Sequence, residues 1–162
     1  MAAPCARLQF VRGPVRNGGR ARPLNLIVSR HMNSAIEFHD STVADIRAVA
    51  GALHLDLPSA YVHRSIGQPG IDSGTVFLQP AEVVFSNATH KEAGGPCGGS
   101  ISDASISVNG REFANMVPLP FTAQGTVSAS FIFTSGGVLS VNGTGVSCQV
   151  SGEAVLVEAY DG

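Results

Sequence analysis

The stretch "STVADIRAVAGALHLDL" (residues 41–57) decides the fold, because its first half carries two periodicities at once. Val43, Ile46 and Val49 stand three apart, Thr42 and Asp45 resemble a capping box, and Gly51 sits where a helix would stop. The same residues also fit a strand that turns at Ala50-Gly51-Ala52 into "LHLDL" (53–57). In that second half the alternation is strict: Leu53, Leu55 and Leu57 share one face, His54 and Asp56 the other, which is the mark of a half-buried strand. Local rules leave the first half open between a short helix and a strand.

Working outward, period two recurs. "ASISV" (104–108) places Ala104, Ile106 and Val108 inward, "VSASFIF" (127–133) aligns Val127, Ala129, Phe131 and Phe133, and "VSCQV" (146–150) aligns Val146, Cys148 and Val150. "VLV" (155–157) follows Gly152 with its parity shifted, which implies a bulge or turn there. Asn109-Gly110 and Asn142-Gly143 both carry the pair that favours a type I′ hairpin turn, and Gly136-Gly137 separates two further runs. Residues 74–86 read as one strand or a pair, with Pro80 requiring an edge or a break, and residues 87–100 read as the most loop-like part of the core. Residues 127–162 are therefore expected to form an antiparallel meander of three or four strands.

Composition agrees. The chain has 162 residues, 44% of them apolar, with 19 glycines, no tryptophan and only 14% charged residues. That is enough apolar material for the core of one domain, and no stretch approaches the roughly 18 apolar residues of a membrane helix. A soluble chain is expected.

The formal net charge of −2 conceals two halves. Residues 1–31 hold Arg7, Arg12, Arg16, Arg20, Arg22 and Arg30 and no acid, interrupted by Pro4, Gly13, Pro14, Gly18, Gly19 and Pro23. They are expected to be a disordered basic extension, and the simplest reading starts translation at Met32. "PLNLIV" (23–28) is too short for a secretory core, and spaced arginines would otherwise suit a phosphate-bearing surface. Residues 32–162 carry the other four cations against all twelve acids and so stand at −8. No nucleic acid is expected to bind this domain, whereas a basic partner would be steered to it. Three cysteines, Cys5, Cys97 and Cys148, make no disulfide framework and fit a reducing cytoplasm, with a Cys97–Cys148 bridge as the lesser alternative.

"IEFHDSTVADIRAVAGALHLDL" (36–57) and "FIFTSGGVLSVNGTGVSCQVSGEAVLVEAYDG" (131–162) resemble the two ends of small bacterial β-proteins with an aromatic-His-Asp-Ser motif near the start, some of which are similar to immunity proteins that neutralise toxins. Residues 61–125 lie outside this resemblance. It implies a strand over residues 43–49 and a role in protein binding.

Candidate chemistry centres on "FHDS" (38–41). His39, Asp40 and Ser41 are the residue types of a hydrolase triad, but neighbours on an extended chain alternate faces, so His39 and Asp40 are not expected to address one nucleophile. Asp40 and Ser41 are better read as acceptors for backbone N–H groups where the first strand ends. His39, His54, His63 and His90, with Cys97, Asp40 and Asp72, show no metal-ligand spacing, and no metal or cofactor is implied. "GGPCGGS" (94–100) lacks the following helix that would lower a thiolate pKa or cradle phosphate.

The expected fold is thus an all-β antiparallel sandwich or flattened barrel of about eight strands over residues 32–162. The expected function is that of a non-enzymatic binding module for a basic protein, with His39, Asp40, His63 and Arg64 as candidate binding residues. The alternatives are a hydrolase built on His39, His63 and a carboxylate, and a self-assembling β-protein using the uncharged run 127–141.

Overall fold

The computed structural model describes residues 31–162; the basic extension lies outside the described residues except for His31, and so does the expectation that it is disordered. Among the described residues all regular structure is antiparallel β: β1 (Asn33–Val43), β2 (Asp45–Val49), β3 (Ala52–Ser65), β4 (Gly74–Ser86), β5 (Thr89–Gly94), β6 (Gly99–Val108), β7 (Arg111–Ala114), β8 (Met116–Leu119), β9 (Phe121–Phe133), β10 (Gly137–Val150) and β11 (Val155–Tyr160). Among the described residues no helix is long and apolar enough to cross a membrane.

Six of the strands close on themselves in the order β4-β10-β9-β6-β1-β3, because β3 returns to pair with β4 along most of its length. The other five lie along the rims of this barrel: β2 on β3, β5 on β10, β7 on β6, β8 on β1 and β11 on β4. Closure removes the open edges that long apolar strands would otherwise expose.

The ambiguous stretch is strand throughout. β2 runs back along β3 with Ile46 opposite Leu55, and Ala50 and Gly51, at φ 49° and 81°, make the tight turn. The period-two faces are the core: Leu53, Leu55 and Leu57 from β3, Ala104, Ile106 and Val108 from β6, Val127, Phe131 and Phe133 from β9, and Val146 and Cys148 from β10 are buried together. Phe131 meets both Phe38 and Phe85 edge to face, at ring-centroid distances of 5.5 and 6.2 Å.

Three local expectations need correction. Asn109-Gly110 is the β6–β7 turn, with φ of 51° and 83°, but Asn142-Gly143 lies inside β10, where the pairing with β9 shifts register between Gly143 and Gly145. β10 is paired on both sides there, and a Cβ on Gly143 would come 2.7 Å from the Ser86 carbonyl, so this glycine permits a close approach and makes no turn. Within 87–100, Thr89–Gly94 form β5, whose ladder onto β10 needs only backbone groups and buries no side chain. The C-terminal strands are not a simple meander either. β11 turns away from β10 through Gly152 and continues along β4, beyond Pro80, on the edge that β10 has left.

Candidate functional site

β1 contains a bulge. Its pairing with β3 runs from Asn33 to Glu37, lapses, and resumes at Thr42 opposite Ser59. Asp40, at φ 62°, occupies the left-handed region, where Asp is among the better-tolerated residues. Buried Ser41 stitches the bulge closed: its hydroxyl donates to the Glu37 carbonyl and accepts from the Tyr61 N–H at 3.0 Å. The expected backbone acceptor is therefore Ser41, while the strand itself continues to Val43. Asp40 makes no such bond. Its exposed carboxylate lies 3.6 Å from His39 Nε2, and His39 donates from Nδ1 to the Ser102 carbonyl of β6 at 2.6 Å. The bulge defeats the expected alternation of His39 and Asp40, since both point outward.

His63 and Arg64, on the β3 end of the barrel, do alternate. His63 lies on the outer face opposite Ala35 and Val76, and Arg64 lies on the inner face opposite Ser34 and Thr75. His63 donates from Nε2 to Glu37 at 2.6 Å, meets the Tyr160 ring edge-on at 5.9 Å, and is only 12% exposed. Its Nδ1 is buried without a partner. The loop after β3 passes over it, held by the Tyr160 hydroxyl, which accepts from the Gly70 N–H at 2.8 Å. His39 and His63 thus have separate partners, a carbonyl of β6 and a carboxylate of β1.

Arg64 is held differently. Its guanidinium lies 4.4 Å over the Phe77 ring and donates to Gln79 Oε1 at 3.0 Å. Gln79 is buried, and its amide donates onward to the Gly152 carbonyl at 3.2 Å.

A further constellation lies on the outer face of β2, β3 and β4. Asp45 stands opposite Asp56, and Asp56 opposite Glu82, so three carboxylates form one row across three strands. Arg47 bonds Asp45 at 2.9 Å and reaches Asp56 and Glu82 at 3.5 and 3.7 Å, while His54 donates to Glu82 at 2.8 Å. Asp56 was readable as outward-facing from "LHLDL"; its alignment with Asp45 and Glu82 depends on register, which no local pattern carries. Glu37, Phe77 and Gln79 escaped the sequence for the same reason.

The two described cysteines are free. Burial in the core pushes the Cys148 thiol up to about 12, and partial burial, with Glu92 nearby, raises that of Cys97. Neither has the features of a nucleophile. Among the described residues no three His, Cys, Asp or Glu side chains converge as metal ligands would. No protein-family model, curated protein or solved structure matches the chain.

Proposed function

We propose that residues 32–162 form a non-enzymatic binding module, immunity-like in character, whose acidic outer face takes a basic protein partner. The observation that carries this reading is the row Asp45, Asp56, Glu82. Like charges directly opposite each other on neighbouring strands destabilise a sheet, and here this happens twice in succession. Arg47 and His54 compensate from within the face but leave the row net negative. Cations from a partner would relieve the remaining repulsion, and a domain at −8 would draw such a partner in by long-range attraction.

The hydrolase alternative has one observation in its favour, the short Glu37–His63 contact. Against it, the free nitrogen of His63 is sealed from solvent, and His39 serves another strand. The self-assembly alternative gains nothing from residues 127–141, because β9 and β10 are paired on both sides. It draws instead on β11, a rim strand with Val155, Leu156 and Val157 exposed.

The test is a charge reversal read against a lysine-rich peptide. Asp56→Lys with Glu82→Lys should weaken peptide binding about tenfold at low salt, and the difference should shrink as salt rises. Glu153→Lys with Glu158→Lys changes the net charge equally on another part of the surface and should do much less. Equal losses from both pairs would leave only non-specific attraction and end the proposal of a defined acidic face.

A further inference from the structure

We propose that the barrel mouth at Arg64 is a binding site for a small apolar monocarboxylate, with the guanidinium taking the carboxylate and a ring of aliphatic side chains taking the hydrocarbon. The register places this site. On the inner face, Phe77, Val62, Ile36 and Val117 form one cross-strand row, and the next row toward the rim is Thr75, Arg64, Ser34 and Leu119. The first row contains the buried Val62, Ile36 and Val117; the second opens into a cavity of about 300 Å³ bounded by Val62, Leu119, Pro120 and Val150, with Ser34, Arg64 and the exposed Gln149 as its polar members. That volume is at the lower end of the roughly 300–1,000 Å³ usual for small-molecule sites.

The cation there is unspent. Arg47 makes all the arginine–carboxylate contacts among the described residues, and no acid lines the cavity at Arg64. A guanidinium offers five N–H donors in a fixed fork, and Gln79 accepts from this one on a single nitrogen. Withdrawing such a group partly from water carries a cost that only an acceptor, best an anion, repays. The fork is also fixed in advance. Phe77 lies beneath it, and Gln79, tied by its own amide to the Gly152 carbonyl, must present its oxygen to Arg64. Stacking and hydrogen bonding together remove rotamer freedom that a ligand would otherwise have to freeze, which is the condition for tight recognition by a single charged group.

The ligand class follows from what surrounds the charge. One cation suits one negative charge, and the planar two-oxygen geometry of a carboxylate matches the fork. Val62, Leu119, Pro120 and Val150 make most of the wall apolar and offer no partner to a polyol or to the remaining oxygens of a phosphate, and Gln149, the one further polar lining residue, is exposed to water. The Ser34 hydroxyl, opposite Arg64 in the ladder and on the same face, supplies a second donor. An aromatic or short aliphatic acid matches both the guanidinium and the aliphatic walls. This site is on the inner face and the acidic row on the outer, so it is independent of the partner surface proposed above.

Sodium benzoate is the probe, titrated into the full chain by calorimetry, with methyl chemical shifts followed in parallel. Saturable binding with Kd at or below about 1 mM is expected, with shifts at Val62, Leu119 and Val150. Arg64→Met keeps an apolar stem over Phe77 and removes the cation, and should weaken benzoate at least about tenfold. Arg64→Lys keeps the charge without the fork and should also bind less tightly than the wild type. Benzyl alcohol, which lacks the charge, and inorganic phosphate, which lacks the apolar body, should each bind more weakly than benzoate. The proposal is overturned if the wild type shows no saturable binding, if Arg64→Met binds benzoate unchanged, or if phosphate competes as well as benzoate. Should Arg64→Met fail to fold, Arg64→Lys decides: benzoate affinity equal to that of the wild type would refute recognition by the fork.

Discussion

At the scale of single residues, "FHDS" divides its labour in a way that side-chain chemistry alone does not show. Ser41 is buried and bonded at both its donor and acceptor positions, while Asp40 is exposed and contributes chiefly a tolerance for φ 62°. Ser41→Ala should therefore cost about 1–3 kcal/mol, because it strands the Tyr61 N–H and the Glu37 carbonyl inside the protein. Asp40→Gly should be neutral or slightly stabilising, since glycine meets no steric penalty in the left-handed region, and Asp40→Val should be clearly worse. Urea denaturation of the three variants checks the ordering, and a destabilised Asp40→Gly with an unaffected Ser41→Ala would reverse the assignment. The hydrogen-bonding capacity of both residues was legible in the sequence. Which of them would be buried was not, because one inserted residue at a bulge changes the facing of its neighbours and leaves no periodic trace.

At the scale of elements, the same dipeptide has two fates. Asn109-Gly110 turns between β6 and β7, with both residues at positive φ, whereas Asn142-Gly143 bends the middle of a strand of 14 residues. The difference comes from neighbours: β7 can fold back on β6, but β10 at that point is already hydrogen-bonded to β5 on one side and β9 on the other. Gly143→Ala should then cost about 1–3 kcal/mol, since the new methyl would meet the Ser86 backbone oxygen, which cannot move independently of β4. Gly145→Ala should cost less, because the atoms it would meet belong to the far end of the Gln124 side chain. Thermal melts of the two single variants decide the matter; equal losses would mean that β10 simply resists added side chains at its bend. The alternating cores of β3, β6, β9 and β10 were readable because burial on one face imposes period two. β5 was not, since it is held by main-chain bonds with every side chain exposed.

At the scale of the molecule, closure into a barrel depends on β3 and β4 pairing across most of their length, and on β1 joining β3 to β6. The pattern of alternating strands made an all-β sandwich or barrel legible, but closure is a property of long-range register and appears in no window of sequence. What the sequence does carry at this scale is charge. Removing residues 1–31 deletes six arginines and no acid, moving the formal net charge from −2 to −8. β1 begins at Asn33, whose side-chain amide donates to the Gly67 carbonyl at 2.8 Å, and Met32 before it is exposed. A chain starting at Met32 therefore retains every strand found among the described residues. It should melt within a couple of degrees of the full chain and elute later from an anion exchanger, by virtue of the lost arginines alone. Aggregation, or a melting temperature lower by about 5 °C or more, would show that the basic extension contributes to the stability of the fold, since about 1 kcal/mol corresponds to a shift of roughly 2–8 °C in a domain of this size. A segment with that effect would have to bury apolar surface against the barrel, and "PLNLIV" (23–28) is the run in it with the composition to do so.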